Sequence, residues 1–458
     1  MILLLPFYTK LLTKAEVGWL DLLLAFYMLI GILLGLELTN AQARFAGEAE
    51  NVAERSQAAS TVLWFTVVSF GIALIPGMLF ADQLGALVLD VSGYGGLMRW
   101  ALLAAASMAV MTIVTNQLRW SLLSLHFGVA GLINTGLFAV FTIVFVWGLG
   151  WGVVGVPVAT IIGCAGSVIY SLSRLRGAFK VTFDWGLCKG MLAFSLPLVP
   201  SSLGAVAMLY VNRVAVQQLL SNDDLGVFSV AMRVAMLAGF VMLGFGNSLT
   251  PLIYANYKKP ETPHRIADIF RYFTALSLVG LAGLWLGARE VILLLSKPDY
   301  LAATGPLCVL SLAVVLQQSY AFAPGAWIAK RTGLLSVINL VGGGLNVGLC
   351  LWLIPQFGIM GAAWANLLTA MVIALANFAV SQKCYSIPFA WTKIILTIGA
   401  VVGLAGLGNH LQGEPGVRDL LGKAPILLLI LAVITFGLLN RRELSGISRK
   451  LPFLRRAS

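Results

Sequence analysis

The chain has 458 residues, of which 59% are hydrophobic and only 10% are charged. Soluble domains carry about 25% charged residues, so this composition excludes an ordinary soluble enzyme. The net charge of +12 is explained by the Lys and Arg residues that membrane proteins collect in cytoplasmic loops, so it does not indicate nucleic-acid binding.

Long apolar runs follow one another along the whole chain. Each is close to the 20 or so residues that a membrane-spanning helix needs, and none shows the alternation of barrel strands. We therefore predict an all-α polytopic membrane protein with about 14 transmembrane helices. Their approximate spans are 1–12, 17–45, 58–80, 97–118, 127–149, 152–173, 192–219, 225–255, 266–295, 301–328, 333–354, 358–380, 391–409 and 423–439.

The first predicted helix is short. It has about a dozen residues, or roughly 18 Å at 1.5 Å per residue, whereas the hydrocarbon core is about 30 Å thick. We expect that the start of this helix lies upstream of Met1.

Basic residues predict the orientation of the helices. With alternating helices, one side collects roughly three times as many Lys and Arg residues as the other, which indicates cytoplasmic termini and an outward-facing loop at Asn222. The expected location is a bacterial inner membrane. The basic tail over 441–456 is either attracted to anionic membrane lipid or simply a solvated cytoplasmic end.

Cysteine and histidine predict no bound group. The five cysteines have no repeated spacing, and the three histidines are scattered. Neither a disulfide framework nor a metal site follows, and no cofactor is predicted.

An internal repeat divides the chain. LLTKAEVG (Leu11–Gly18) recurs as LLSNDDLG (Leu219–Gly226), and GVVGVPVAT (Gly152–Thr160) recurs as GIMGAAWAN (Gly358–Asn366). The offsets are 208 and 206 residues, so two separate matches agree. They indicate a duplicated bundle of six helices.

The repeat predicts two lobes and a C-terminal extension. We assign 1–190 to the N-terminal lobe, 191–385 to the C-terminal lobe, and 386–458 to two extra helices and the basic tail. Six is an even number, so both lobes enter the membrane from the same side. This is the parallel-repeat class of secondary transporter, in which the substrate path lies between the lobes.

Several segments resemble one family. The string AFSLPLVPSSLGAVAMLYVNRVAVQQLLSNDDLGVFSV, from Ala193 to Val230, is similar to the opening of the second lobe in polysaccharide-biosynthesis flippases. These flippases belong to the multidrug/oligosaccharidyl-lipid/polysaccharide exporter superfamily. Further matches are Leu36-Glu37 with Arg44-Phe45, Lys297-Pro298-Asp299-Tyr300, and the segment from Ile354 to Ala363. The family commonly has an acid just before the arginine of helix 7, where this chain has Asn212.

The resemblance implies transport of an oligosaccharide linked to a polyprenyl diphosphate, for surface polysaccharide biosynthesis. It also implies membrane lipids as surroundings, and a polysaccharide polymerase and glycosyltransferases as working partners. No partner of the nucleic-acid class is expected.

Two arginines inside predicted helices are candidate substrate residues. Arg213 and Arg233 flank the same predicted outer turn, and the repeat does not duplicate either charge. Guanidinium groups pair phosphate oxygens bidentately, which suits a diphosphate. Alternatively, long arginine side chains near the surface simply reach water.

Polar residues inside predicted helices are further candidates for substrate binding. The candidates are Asn212, Asn247, Gln317 and Asn339. Such side chains either bind sugars or form hydrogen bonds between helices.

Glu37 is the only acid that we nominate inside a predicted membrane helix. Arg44 follows seven residues later, on about the same face of a continuous helix. Glu37 and Arg44 form either a site that couples transport to an ion gradient or a structural pair.

Two other functions remain open. A drug or cation exporter of the same superfamily would have a similar sequence pattern. An integral-membrane glycan polymerase or acyltransferase would need grouped acid, base or nucleophile residues, which the sequence does not show. No phosphate-binding loop of the G-x-x-x-x-G-K-[ST] type is present, so ATP hydrolysis is not expected.

Overall fold

The computed structural model describes residues 4–49, 51–121, 123–239, 253, 258–329, 332–410 and 417–438, and their regular structure is helical throughout. The α-helices are α1 Leu5–Leu11, α2 Lys14–Gly35, α3 Leu38–Glu48, α4 Val52–Leu79, α5 Ala81–Leu89, α6 Gly95–Trp120, α7 Ser124–Ile143, α8 Gly155–Arg174, α9 Trp185–Ser195, α10 Val199–Leu219, α11 Asn222–Ala235, α12 Thr262–Leu286, α13 Ala288–Leu295, α14 Thr304–Gln318, α15 Gly325–Ile328, α16 Thr332–Phe357, α17 Ile359–Cys384, α18 Trp391–His410 and α19 Val417–Leu438.

Ten helical segments of the described chain are long and apolar enough to cross a membrane. The prediction of an all-α polytopic membrane protein is confirmed. The other four predicted spans are not among these ten. The first is the short helix α1, the seventh is interrupted, the eighth lies partly outside the described residues, and the fourteenth has its apolar part over Gly422–Leu438.

The second predicted helix, over 17–45, is wrong as a continuous helix. It ends at Gly35, and a new helix begins at Leu38. Leu36 and Glu37 both have left-handed backbone, with φ of 47° and 56°. Each left-handed residue with a side chain costs about 1–2 kcal/mol, and it interrupts the helical hydrogen-bond ladder. Glu37 therefore lies at a break between α2 and α3.

The seventh predicted helix, over 192–219, is also interrupted. α9 ends at Ser195, a 3-10 turn covers Leu196–Leu198, and α10 then runs to Leu219. Pro197 and Pro200 lie in this stretch, and proline lacks the backbone N–H that an uninterrupted helix uses. The uninterrupted part that carries Arg213 is α10 alone.

The described chain forms two compact units, Met1–Ser229 and Val230–Ser458. One apolar cluster of the first unit packs α3, α4, α6 and α9 around Leu38, Ile113 and Met191. The second unit has an aromatic cluster, whose rings are Phe270, Phe273, Phe322, Phe378, Phe389 and Trp391. The lobe boundaries at 190 and 385 stay predictions.

The second repeated segment begins with a glycine of positive φ in both copies. The φ angle is 57° at Gly152 and 58° at Gly358. Three residues later, Gly155 and Gly361 lie so close to the preceding helix that a side chain would collide with Phe145 and Leu353. The repeat seen in the sequence therefore corresponds to a repeated turn.

Candidate functional site

An ion pair lies inside the first unit, between α2 and α10. The Arg213 Nε is 3.4 Å from the Asp21 Oδ2, and the two side chains are only 12% and 5% exposed. Asp21 is seven residues after the first residue of α2, and Arg213 is six before the last residue of α10. At 1.5 Å per residue, Asp21 lies roughly 11 Å from the start of α2, and Arg213 lies roughly 9 Å from the end of α10.

Asp21 corrects the sequence analysis, in which Glu37 was the only acid nominated inside a membrane helix. Asp21 stands in the apolar run Trp19-Leu20-Asp21-Leu22 and is 4% exposed. A charged residue in such a run costs at least about 2.5 kcal/mol at the membrane centre, which marks it as a candidate for a functional role. The partner could not be read from the sequence, because Arg213 follows 192 residues later.

A second polar contact lies beside the ion pair. The Tyr210 hydroxyl donates to the Leu22 carbonyl oxygen at 3.3 Å, which joins α10 to α2 a second time. Asn212 is buried, with 3% exposure. Asn212 stands where the resembled family commonly has an acid, and in this chain the carboxylate beside Arg213 comes from Asp21 of α2.

Arg233 is the most buried of the predicted arginines. It lies on α11 with 6% exposure, and it belongs to the second unit, whereas Arg213 belongs to the first. A joint site of the two guanidinium groups stays a prediction.

The other predicted sugar-binding residues are less informative. Gln317 and Asn339 are exposed. Asn247 lies outside the described residues. A role for these amides in substrate binding stays a prediction.

Glu37 and Arg44 do not share one continuous helix. Glu37 is half-buried at the break before α3, and its Oε2 accepts a hydrogen bond from Asn40 Nδ2 at 2.6 Å. The Arg44 guanidinium lies over the ring of Phe194, 4.7 Å from the ring centre. Such a cation–π contact is worth about 0.5–1 kcal/mol where it is exposed.

A second buried ion pair lies in the second unit. The Lys423 Nζ is 2.6 Å from the Asp419 Oδ2, and both side chains are 4% exposed. The same ammonium donates to the Leu286 carbonyl oxygen at 3.0 Å. The burial of Lys423 is tolerated because its charge has partners on its own helix and on α12.

No group of three or more potential metal-ligating side chains occurs among the residues that the structure describes. The five cysteines are free.

Solved structures with the same fold are membrane transporters. The inward-facing conformation of a multidrug resistance MATE family transporter of the MOP superfamily gives a TM-score of 0.70 at 19% identity, over 83% of this chain and 93% of that chain. The lipid II flippase MurJ in its inward closed conformation gives 0.64 at 14% identity, over 95% of this chain and 97% of that chain. A MOP superfamily transporter from Pyrococcus furiosus, described by the reverse polarity of its binding pocket, gives a TM-score of 0.58 at 19% identity, over 84% of this chain and 91% of that chain.

No protein-family model matches the sequence, and no curated protein matches it. The fold is nevertheless defined: it is the fold of multi-pass transporters. In particular, it is the fold that MATE transporters share with MurJ, both of the MOP superfamily.

Proposed function

We propose that the chain is a flippase that moves a polyprenyl-diphosphate-linked oligosaccharide across the bacterial inner membrane. The observation that carries this proposal is Arg213, a nearly buried guanidinium inside a helix of a transporter fold. A guanidinium pairs phosphate oxygens bidentately, and the pairing is stronger away from water.

Buried guanidinium groups favour an anionic substrate over a cationic one. Besides the nearly buried Arg213, Arg233 is only 6% exposed. Each carries a permanent positive charge.

The extent of the fold similarity also favours a lipid-linked substrate. The alignment with MurJ takes in 95% of this chain, whereas that with the MATE transporter takes in 83%. MurJ is a lipid II flippase. Of these two alignments, the one that covers the larger share of this chain is therefore with a protein that acts on a lipid-linked molecule.

Transport would proceed by alternating access. The polyprenyl tail stays in the lipid while the diphosphate and the sugars cross through a hydrated path. Arginine holds the diphosphate by charge and then releases it. An ion gradient, or consumption of the product by a polysaccharide polymerase, supplies the direction.

The test is complementation of surface polysaccharide in a host that lacks its own flippase. Arg213→Ala and Arg233→Ala should abolish the polysaccharide. Arg213→Lys should restore part of it, because lysine keeps the charge but offers a point contact in place of a fork. Arg265→Gln is the matched control, because Arg265 is an exposed arginine paired with Glu261 at 2.9 Å.

Folding must be measured in the same experiment. Removing one partner of a buried ion pair costs about 3–5 kcal/mol, so Arg213→Ala could lose activity through instability alone. Expression and the melting temperature of each variant separate the two causes. Full polysaccharide production by both alanine variants would refute the proposed site.

A drug exporter is the second candidate, because the MATE transporter gives a higher TM-score than MurJ. Expression in a drug-sensitive host discriminates the two. Raised drug resistance without polysaccharide complementation would favour the drug exporter.

A further inference from the structure

The guanidinium of Arg213 is engaged before any substrate arrives. The Asp21 carboxylate lies 3.4 Å from its Nε, and both side chains are nearly buried. Attraction between opposite charges is stronger in such surroundings than in water. An anion that approaches Arg213 therefore has to compete with a carboxylate of the protein itself.

The same ion pair holds two helices together. Asp21 and Leu22 are adjacent on α2, while Arg213 and Tyr210 are three residues apart and share a face of α10. The Arg213–Asp21 and Tyr210–Leu22 contacts, at 3.4 and 3.3 Å, join these two helices side by side. An anion that displaces Asp21 from Arg213 therefore also removes one of the bonds between α2 and α10.

We propose that Asp21 is a positioning residue that competes with the substrate diphosphate for Arg213. This inference rests on the proposed function. A diphosphate offers several anionic oxygens and pairs a guanidinium bidentately, so it displaces a single carboxylate, whereas weaker anions do not. Displacement loosens α2 from α10, and return of the Asp21 carboxylate to Arg213 releases the diphosphate after transport.

Binding of farnesyl diphosphate to the purified full-length protein in detergent tests the competition. Asp21→Asn should bind this probe at least about tenfold more tightly than the parent protein, equivalent to about 1.4 kcal/mol, because the competitor is gone. Arg213→Gln should bind it more weakly. Asp21→Ser removes the same carboxylate with a smaller side chain and must show the same gain, so the result does not depend on one variant.

Asp419→Asn is the matched control. It also removes a buried carboxylate from a cation, since Asp419 lies 2.6 Å from Lys423. Its affinity for farnesyl diphosphate should equal that of the parent. A gain in Asp419→Asn as large as that in Asp21→Asn would overturn the assignment to Asp21.

Transport kinetics in proteoliposomes provide a second measurement. Asp21→Asn should lower both KM and kcat for a polyprenyl-diphosphate substrate, because it binds more tightly and releases more slowly. A residue with a purely structural role would lower the rate without tightening the binding.

The outcomes separate the inference from the function on which it rests. If Arg213→Gln loses affinity while Asp21→Asn and Asp21→Ser gain none, competition by Asp21 is refuted and the diphosphate site stands. If Arg213→Gln binds farnesyl diphosphate as tightly as the parent, the proposed site itself is refuted, and the competition with it.

Discussion

Gly18 and Gly226 occupy equivalent positions of the repeat, and each lies against the start of the helix that carries the other. A Cβ atom on Gly18 would lie 3.1 Å from the carbonyl oxygen of Asn222, and one on Gly226 would collide with the carbonyl group of Lys14. Lys14 and Asn222 are themselves equivalent, at the same offset of 208 residues. Reciprocal contacts of this kind characterise a twofold relationship, here a local one between the two copies of the segment.

The first prediction follows from this contact. Gly226→Ala should lower the free energy of unfolding by about 1–3 kcal/mol, because the added methyl group meets main chain that cannot rotate away. Gly31→Ala is the control: Gly31 lies on α2 with no atom within 4 Å of the added Cβ. Alanine in an open helical position is stabilising by up to about 1 kcal/mol. Equal melting temperatures of the two purified variants would contradict the close contact.

The second prediction concerns the repeated turn. Gly152→Ala and Gly358→Ala should each cost about 1–3 kcal/mol, because both glycines have a positive φ that residues with a side chain rarely adopt. A steric collision is not the reason. Nothing lies within 4 Å of a Cβ atom on Gly358, and a Cβ atom on Gly152 would have only a carboxylate oxygen of Glu16 nearby, at 3.5 Å. Gly348→Ala, in an open position of α16, should cost nothing. Unequal losses at the two turns would mean that the copies are not conformationally equivalent.

The third prediction concerns topology. A membrane-impermeant maleimide added to intact cells should label Asp223→Cys, in the predicted outer turn, and not Lys258→Cys. Both positions are exposed. The native Cys188 should add little background labelling. Burial raises the pKa of its thiol, so the reactive thiolate is scarce at neutral pH. Labelling of both variants from the same side would refute the predicted orientation.

The fourth prediction concerns Glu37. If Glu37 couples transport to an ion gradient, Glu37→Gln should still bind substrate but lose the response of transport to imposed proton or sodium gradients in proteoliposomes. Glu54→Gln is the matched control. Glu54 likewise accepts a hydrogen bond from an asparagine side chain, Asn51 Nδ2 at 2.8 Å, but Glu54 is exposed. An unchanged gradient response in Glu37→Gln would exclude it as the coupling site.

The helical membrane fold and the repeated turn could be predicted because their signals are local. Apolar runs of about 20 residues require helices in lipid, and a repeated glycine pattern requires a repeated backbone. The helix break at Leu36 and Glu37 had no such signal. Both residues continue a helical pattern, and neither is the glycine or asparagine that usually takes left-handed backbone at a helix end.

The candidate site was predictable only in part. Arg213 stands out because a charge inside an apolar run is costly, and Asp21 carries the same signal. Their pairing depends on how α2 packs against α10, and no local pattern encodes a contact across 192 residues. The prolines at 197 and 200 were a local signal for the break before α10.

The buried lysine of α19 has a consequence for membrane insertion. Asp419 and Lys423 make this segment a poor substrate for the insertion machinery, which penalises each such residue by up to about 2.5–3.5 kcal/mol at the helix centre. The Lys423 ammonium also needs the Leu286 carbonyl oxygen, at the end of α12 and 137 residues upstream. During biogenesis, α19 therefore reaches its final position only after α12 is already in the membrane, and a chain truncated before α19 leaves the end of α12 without this hydrogen-bond donor.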